Sequence, residues 1–319
     1  MTKKIKLGLG ILELKGFGRA KARATIESMS QIPNTASETM DAFNSYELQT
    51  GKKLPKVDES SLQVAMDTAA RIMDNCSEKG ISIDFIDLND DRQWVRRYAS
   101  IPTTPLVLFS LGEPSVMDMP TIAIIGTRNP TPIGRSMAQS VARKSVEAGF
   151  CVISGLAMGC DVEAHRSALE NNGKTVAVLA HGLEEVHPIQ HSKIAEQIIE
   201  QGGCLLSEYS PGTPIEKGNF VDRDRLQSAG SLGVLVIETT INGGSLHTVR
   251  FAENQNRPIA CLNHPEKYHK EASVEGNRKL IENEAIAIWN EPSLNDFLEG
   301  LKHNFKLIDK REPKQESLL

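Results

Sequence analysis

Three short loops rich in glycine and hydroxyl side chains could bind phosphate groups. They span residues 125–135, 153–161 and 238–246. Each follows a short apolar run and precedes a segment with helix-like spacing. Glycine lets backbone N–H groups approach an anion closely, and the N-terminus of the helix that follows adds its positive dipole. One such loop is a weak indication, but three on one sheet edge favour a ligand that carries phosphate.

A fourth segment, upstream of the third loop, adds cations and an aromatic ring. Arg223 and Arg225 could hold phosphates in the fork of the guanidinium group, and Phe220 could stack on a base. The alternative is that Phe220 belongs to the core and that the two arginines pair with Asp222 and Asp224. The residues alone leave both interpretations open.

Catalytic and metal-binding patterns are scarce. The chain contains neither the G-x-G-x-x-G dinucleotide fingerprint nor the G-x-x-x-x-G-K-[ST] phosphate loop. Asp161 and His165 are four residues apart and suit a hydrogen-bonded pair on one helix face, with Asp161 as the N-cap. His181 and His187 lie near a turn, but no carboxylate arrangement completes a metal site around them. We therefore predict a non-enzymatic protein without catalytic residues, metal or cofactor.

The elements that must position these loops alternate from about residue 80 onwards. Short apolar runs, often β-branched, are separated by helical stretches, which is typical of a parallel sheet covered on both faces. The expected strands lie at residues 81–88, 106–109, 121–125, 150–154, 175–180, 204–207, 232–237 and 258–262. The expected helices lie at residues 133–148, 161–171, 192–201, 220–229 and 245–254. The predicted class is α/β with a doubly wound, mostly parallel sheet.

A small helical module, residues 1–79, precedes this core. Its apolar spacing predicts helices, and two glycines at positions 16 and 18 resemble a helix-hairpin-helix turn, in which backbone N–H groups approach a DNA phosphate. An ordinary turn between two helices fits the same residues equally well. The core is predicted to span residues 80–300, and residues 301–319 are predicted to form a polar tail.

Charge is distributed unevenly along the chain. The net charge of −5 argues mildly against nucleic acid as a partner. However, residues 1–24 carry seven basic side chains against Glu13 alone, and residues 128–146 carry four basic and no acidic ones. Local patches of this kind can still bind phosphates.

Composition also indicates a compartment. There is no run of about 18 apolar residues, so we predict no membrane association. The five cysteines are scattered and show no C-x-x-C spacing, which is typical of buried thiols in a reduced compartment. The predicted location is the cytoplasm.

The order of the motifs resembles that of a known family. The segments that carry the likeness are residues 123–128, 152–157, 159–165, 206–213, 219–225 and 244–248. Over roughly residues 95–295 this succession is similar to the DNA-processing A (DprA/Smf) family. The resemblance implies a Rossmann-like core that is usually dimeric. It also implies binding of single-stranded DNA and delivery of that DNA to a RecA-type recombinase, chiefly in natural transformation.

The resemblance also implies a set of DNA-binding residues. Contacts to phosphates and bases would come from Arg128, Lys217, Phe220, Arg223 and Arg225, with backbone and hydroxyl donors at Gly126, Thr127, Gly155, Gly244 and Ser245. The chain departs from the family pattern at Asp224, where asparagine is usual between the two arginines, and Asp222 adds a second carboxylate. We expect these negative charges to weaken phosphate binding or to alter its selectivity.

Two other functions fit the same pattern less well. One is a sensor of a nucleotide or a nucleotide-derived signal, for example in phage defence, which the carboxylates and the acidic net charge favour slightly. The other is a phosphoribohydrolase similar to the lysine-decarboxylase-like nucleotide enzymes. Those enzymes need a P-G-G-x-G-T-x-x-E loop, and residues 242–248 offer no matching glutamate.

Overall fold

A nine-stranded sheet organises the protein, whose computed structural model describes residues 1–309. The strands are β1 (Ser82–Phe85), β2 (Val107–Gly112), β3 (Thr121–Ile125), β4 (Cys151–Ser154), β5 (Thr175–Leu179), β6 (Cys204–Ser207), β7 (Val234–Val236), β8 (Ile259–Leu262) and β9 (Ile286–Ile288). Their spatial order is β1-β2-β6-β5-β4-β3-β7-β8-β9. Strand β2 is antiparallel to both of its neighbours, and all other pairs are parallel. The predicted mostly parallel α/β sheet is confirmed.

Helices cover both faces of this sheet. They are α1 (Thr2–Glu13), α2 (Arg19–Glu27), α3 (Ala36–Thr50), α4 (Glu59–Glu78), α5 (Gln93–Ala99), α6 (Pro132–Glu147), α7 (Cys160–Glu170), α8 (Ser192–Glu200), α9 (Lys217–Gly230), α10 (Ser245–Asn254), α11 (Ala272–Glu282) and α12 (Glu291–Asp309). Val152 of β4 packs towards α6, α7 and α12, whereas Cys151 and Ile153 pack towards α5 and α9. Strands β3 to β7 are buried on both faces, so each reads as a nearly continuous apolar run, whereas the edge strands β1 and β9 are partly exposed.

Helices α1 and α4 pack directly on the sheet, and α2 and α3 pack on these two helices. Leu7 and Leu9 share one hydrophobic cluster with Phe109 of β2 and Leu205 of β6. A Cβ atom added to Gly8 would lie 3.4 Å from the side chain of Leu106, so α1 approaches this face closely. The division into a module of residues 1–79 and a core of residues 80–300 stays a prediction, and the two parts bury a common apolar surface.

The C-terminal boundary differs from the expectation. Residues 301–309 continue α12, and Leu301 is buried in the cluster that covers β3 and β7. The composition of α12 is polar, but its apolar positions recur at helical spacing, so the segment forms a helix with one buried face. Residues 310–319 of the expected tail lie outside the described residues. Within residues 1–309, no helix is both long and apolar enough to cross a membrane.

Candidate nucleic-acid interface

A pocket of about 440 Å³ opens at the carboxyl ends of β3 and β7. From β3 the chain adds β4, β5 and β6 on one side and later β7, β8 and β9 on the other, so the strand order reverses here. In open parallel sheets, ligands bind at this reversal because the loops on either side diverge. We call this cavity the switch-point pocket. Its lining includes Gly126, Thr127, Arg128, Ala157, Asp161, Phe220, Arg223, Asp224, Gln227, Gly244, Ser245 and His247.

The loop after β3 is held by Glu238, a fully buried residue beyond the end of β7. The Glu238 carboxylate accepts hydrogen bonds from Thr131 N at 2.8 Å and Thr131 Oγ1 at 2.6 Å. The Glu238 backbone oxygen accepts one from Thr127 N at 2.7 Å. A Cβ atom on Gly134 would come within 2.2 Å of the Glu238 carboxyl carbon, so glycine is required there. Glu238 therefore fixes the loop that carries Arg128.

Arg128 and Phe220 form one wall of the switch-point pocket. Arg128 is exposed, and its guanidinium carbon lies 5.4 Å from the centre of the Phe220 ring, in cation–π range. The ring is partly buried and lines the cavity. The pair thus offers a cation for a phosphate beside an aromatic surface for a base.

The loop after β4 is shaped by Arg223. A Cβ atom on Gly155 would lie 1.6 Å from Arg223 Nη1, so the guanidinium occupies the space that a side chain would need. Gly155 is buried beneath Arg223 and is not part of the pocket lining. The expected N-cap role of Asp161 is wrong. Gly159 caps α7, and Asp161 Oδ2 instead accepts a hydrogen bond from Gly155 N at 3.1 Å.

The expected hydrogen bond between Asp161 and His165 does not form among the described residues. His165 Nδ1 lies 2.7 Å from Thr175 Oγ1 on β5 instead. Burial lowers the pKa of His165 to about 3, so its imidazole is neutral. Within residues 1–309, no group of three or more His, Cys, Asp or Glu side chains is arranged to hold a metal ion.

Helix α9 turns one side towards the switch-point pocket. Phe220, Arg223, Asp224 and Gln227 recur at helical spacing and line the cavity. Arg223 is only 4% exposed, donates to the backbone oxygen of Val178 at 2.9 Å, and has Nε 3.4 Å from Asp224 Oδ1. Arg223 therefore supports the floor of the pocket more than it projects into it.

Two predicted DNA-binding residues of α9 lie outside the pocket lining. Arg225 is 1% exposed and forms an ion pair with Glu208 on the other side of the helix. Lys217 is exposed at the first residue of α9. The structure brings seven of the ten predicted residues to the pocket: Gly126, Thr127, Arg128, Phe220, Arg223, Gly244 and Ser245.

The third glycine-rich loop joins β7 to α10. Gly244 is the N-cap of α10, and Ser245 Oγ donates to Thr239 Oγ1 at 2.8 Å. Asn277 is buried on α11 and accepts a hydrogen bond from Thr239 N at 2.8 Å. Its amide nitrogen donates to two backbone oxygens, that of the residue directly after β7 at 2.8 Å and that of the last residue of β8 at 3.0 Å. Sequence reasoning missed Asn277, although an asparagine beside apolar residues of a helix would have been the available indication.

The carboxylates of the pocket have perturbed pKa values. Burial raises the pKa of Asp224 to about 7, Asp161 adds to this shift, and Arg223 opposes it. Burial also raises the pKa of Asp161, again against the opposing charge of Arg223. The charge of the pocket therefore changes near neutral pH.

These features define a Rossmann-like α/β protein whose glycine-rich loops converge on a polar pocket at the switch point of the sheet. The sequence matches the family model described as DNA recombination-mediator protein A over residues 86–301, and the chain belongs to that family. It is 39% identical over 210 residues to the protein Smf of Synechocystis, an alignment that covers 64% of this chain and 52% of that protein. The chain thus spans about half the length of this relative.

Two solved structures are similar in fold. The DNA processing protein A of Helicobacter pylori, described as having a unique single-stranded DNA binding mode, superposes with a TM-score of 0.59 at 28% identity and covers 70% of this chain and 96% of that one. The DNA processing protein A of Streptococcus pneumoniae superposes with a TM-score of 0.73 at 22% identity and covers 93% and 98%. The second comparison supports the fold over nearly the whole chain.

Proposed function

We propose that this protein binds single-stranded DNA at the switch-point pocket and delivers it to a RecA-type recombinase. The observation that carries the proposal is the pairing of Arg128 with Phe220 opposite the N-terminus of α10. A cation, a ring and a helix N-terminus together match a nucleotide, with its phosphate and its base. Stacking of a base on the Phe220 ring requires a base that is free of its neighbours, which favours a single strand.

The remaining parts of the proposal come from the family. Delivery to a recombinase and a homodimeric state are what the family resemblance implies, whereas the cytoplasmic location rests on the composition and the scattered cysteines of the sequence. The lining of the pocket supports a binding role, since Arg128 and Phe220 offer a cation and a ring, and the absence of catalysis is part of the proposal.

The test is a fluorescence-anisotropy titration of a labelled single strand of about 30 nucleotides at low and near-physiological salt. We expect Arg128→Ala to weaken binding by about 1–3 kcal/mol and to reduce the salt slope by about 0.7, since one phosphate contact is lost. Arg143→Ala is the matched control, because Arg143 is a partly exposed arginine of α6 that pairs with Glu147 and does not line the pocket. Equal affinity of both variants and the unmodified protein would contradict the proposal.

A second candidate function is a sensor of a mononucleotide. The two carboxylates of the pocket, Asp161 and Asp224, favour it because they can accept hydrogen bonds from base or sugar donors. Stoichiometric binding of a mononucleotide that DNA fails to displace would support the sensor. Displacement of the labelled strand by unlabelled single strands, but not by mononucleotides, would support DNA binding.

A further inference from the structure

Arg19 joins the helical module to the helix that lines the pocket. Its Nη1 lies 2.6 Å from Glu208 Oε2, and its Nη2 lies 3.0 Å from Asp222 Oδ2. Glu208 follows β6 directly, and Asp222 belongs to the second turn of α9. One guanidinium group of α2 therefore bridges the sheet and α9.

The position of Arg19 is fixed by the packed turn before it. Gly16 has φ +86°, a conformation that favours glycine, and Gly18 is the N-cap of α2. Between them Phe17 is buried and its ring stacks on Phe43 at 5.3 Å between centres. The glycine turn that resembles a DNA-binding hairpin in sequence thus directs Arg19 towards the core.

Helix α9 presents its two sides to different partners. Phe220, Arg223 and Asp224 line the switch-point pocket, whereas Asp222 pairs with Arg19 of the helical module and Arg225 pairs with Glu208 after β6. Arg225 binds the same Glu208 oxygen that Arg19 binds. A displacement of Asp222 would therefore move the adjacent pocket residues, because they share one turn of helix.

The first turn of α9 has few other contacts, one of them a hydrogen bond of 3.3 Å from Asn219 Nδ2 to the Pro214 backbone oxygen, whereas the second turn is also held by Arg223. Its N-cap, Glu216, makes no side-chain cap hydrogen bond with any described residue, and Lys217 and Gly218 are exposed. An uncapped first turn tends to fray. The Arg19–Asp222 ion pair and the Arg128–Phe220 contact are interactions that can hold these turns in place.

We propose that Arg19 is a positioning residue for DNA binding: it orients the first two turns of α9, so that the helical module acts on the pocket without touching the DNA. This inference rests on the proposed function of the pocket. It assigns a role in binding to a side chain outside the cavity and outside the predicted DNA-binding residues.

The experiment measures single-stranded DNA affinity of the full chain by anisotropy. We expect Arg19→Ala to weaken binding about fivefold, as loss of a partly exposed ion pair allows. Lys21→Ala is the matched control, because Lys21 is an exposed cation of the same helix and its loss changes the net charge equally. The salt slope of Arg19→Ala should equal that of the unmodified protein, since no phosphate contact is removed.

Asp222→Ala separates positioning from simple electrostatics. The Asp222 side chain is 50% exposed, so its replacement is compatible with folding. Electrostatics alone predicts tighter DNA binding when this carboxylate is removed. Positioning predicts a loss similar to that of Arg19→Ala, and the double variant should lose no more than either single variant.

The outcomes distinguish this inference from the function on which it rests. Tighter binding by Asp222→Ala, or unchanged affinity of Arg19→Ala in a protein that otherwise binds DNA, would overturn the positioning role alone. Failure of the unmodified protein to bind single strands at any salt concentration would overturn both proposals. A smaller salt slope in Arg19→Ala would make Arg19 a direct phosphate contact and would also overturn the inference.

Discussion

Asp224 should make DNA binding depend on pH near neutrality. Its carboxylate lines the pocket beside Arg223 and within the electrostatic reach of Arg128. With a pKa of about 7, the side chain is mostly neutral at pH 6 and mostly ionised at pH 8. An ionised carboxylate repels a phosphate, so we expect affinity for single-stranded DNA to fall as the pH rises.

The expected size follows from the titration. Between about pH 6 and pH 8 the ionised fraction rises from about one tenth to about nine tenths. If DNA binds only the neutral form, the apparent affinity falls about tenfold across this interval. Asp224→Asn keeps the size of the side chain and cannot ionise. It should therefore bind like the unmodified protein at pH 6 and about tenfold more tightly at pH 8.

The assay is anisotropy at constant ionic strength from pH 6 to pH 8. His247 also lines the pocket. Asp224→Asn retains His247, so the difference between the two pH profiles belongs to Asp224. Parallel profiles for the variant and the unmodified protein would refute the reasoning.

Two further predictions concern the residues that shape the pocket. Gly155→Ala should displace Arg223 and lower both the melting temperature and the DNA affinity. Gly218→Ala is its control and should leave both nearly unchanged, because the added Cβ would meet no described atom within 4 Å. Equal melting temperatures of the two variants in calorimetry would contradict this prediction. Asn277→Ala leaves the buried Thr239 N–H without its partner, so the free energy of unfolding in urea should fall by about 1–3 kcal/mol, and an unchanged denaturation midpoint would contradict this.

The sheet was largely predictable because strands β3 to β7 are buried on both faces. The apolar runs at residues 121–125 and 204–207 coincide with β3 and β6. Strand β9 and helix α5 were missed, since Ile286–Ile288 is too short for a periodic pattern and Gln93–Ala99 is a helix of only seven residues. Helices α11 and α12 were missed as well, although the apolar positions of α12 recur at helical spacing.

The pocket was predictable only in part. The convergence of its glycine-rich loops was predictable, because a parallel topology brings the carboxyl ends of neighbouring strands to one edge of the sheet. The joint placement of Arg223 and Arg225 in one phosphate grip was inconsistent with the helix predicted there, because residues two apart on a helix point about 200° apart. Ion pairs such as Arg225 with Glu208 join distant parts of the chain and leave no local pattern.

The common cluster of α1–α4 with β2 and β6 changes what counts as a unit of this protein. The family model begins at residue 86, after these helices, and so divides the chain inside one continuous apolar interior. The span that the family model matches and the span that packs as one unit are therefore different here. A protein cut back to the matched span would lose the helices that cover Phe109 and Leu205, and with them Arg19, the ion-pair partner of Glu208 and Asp222.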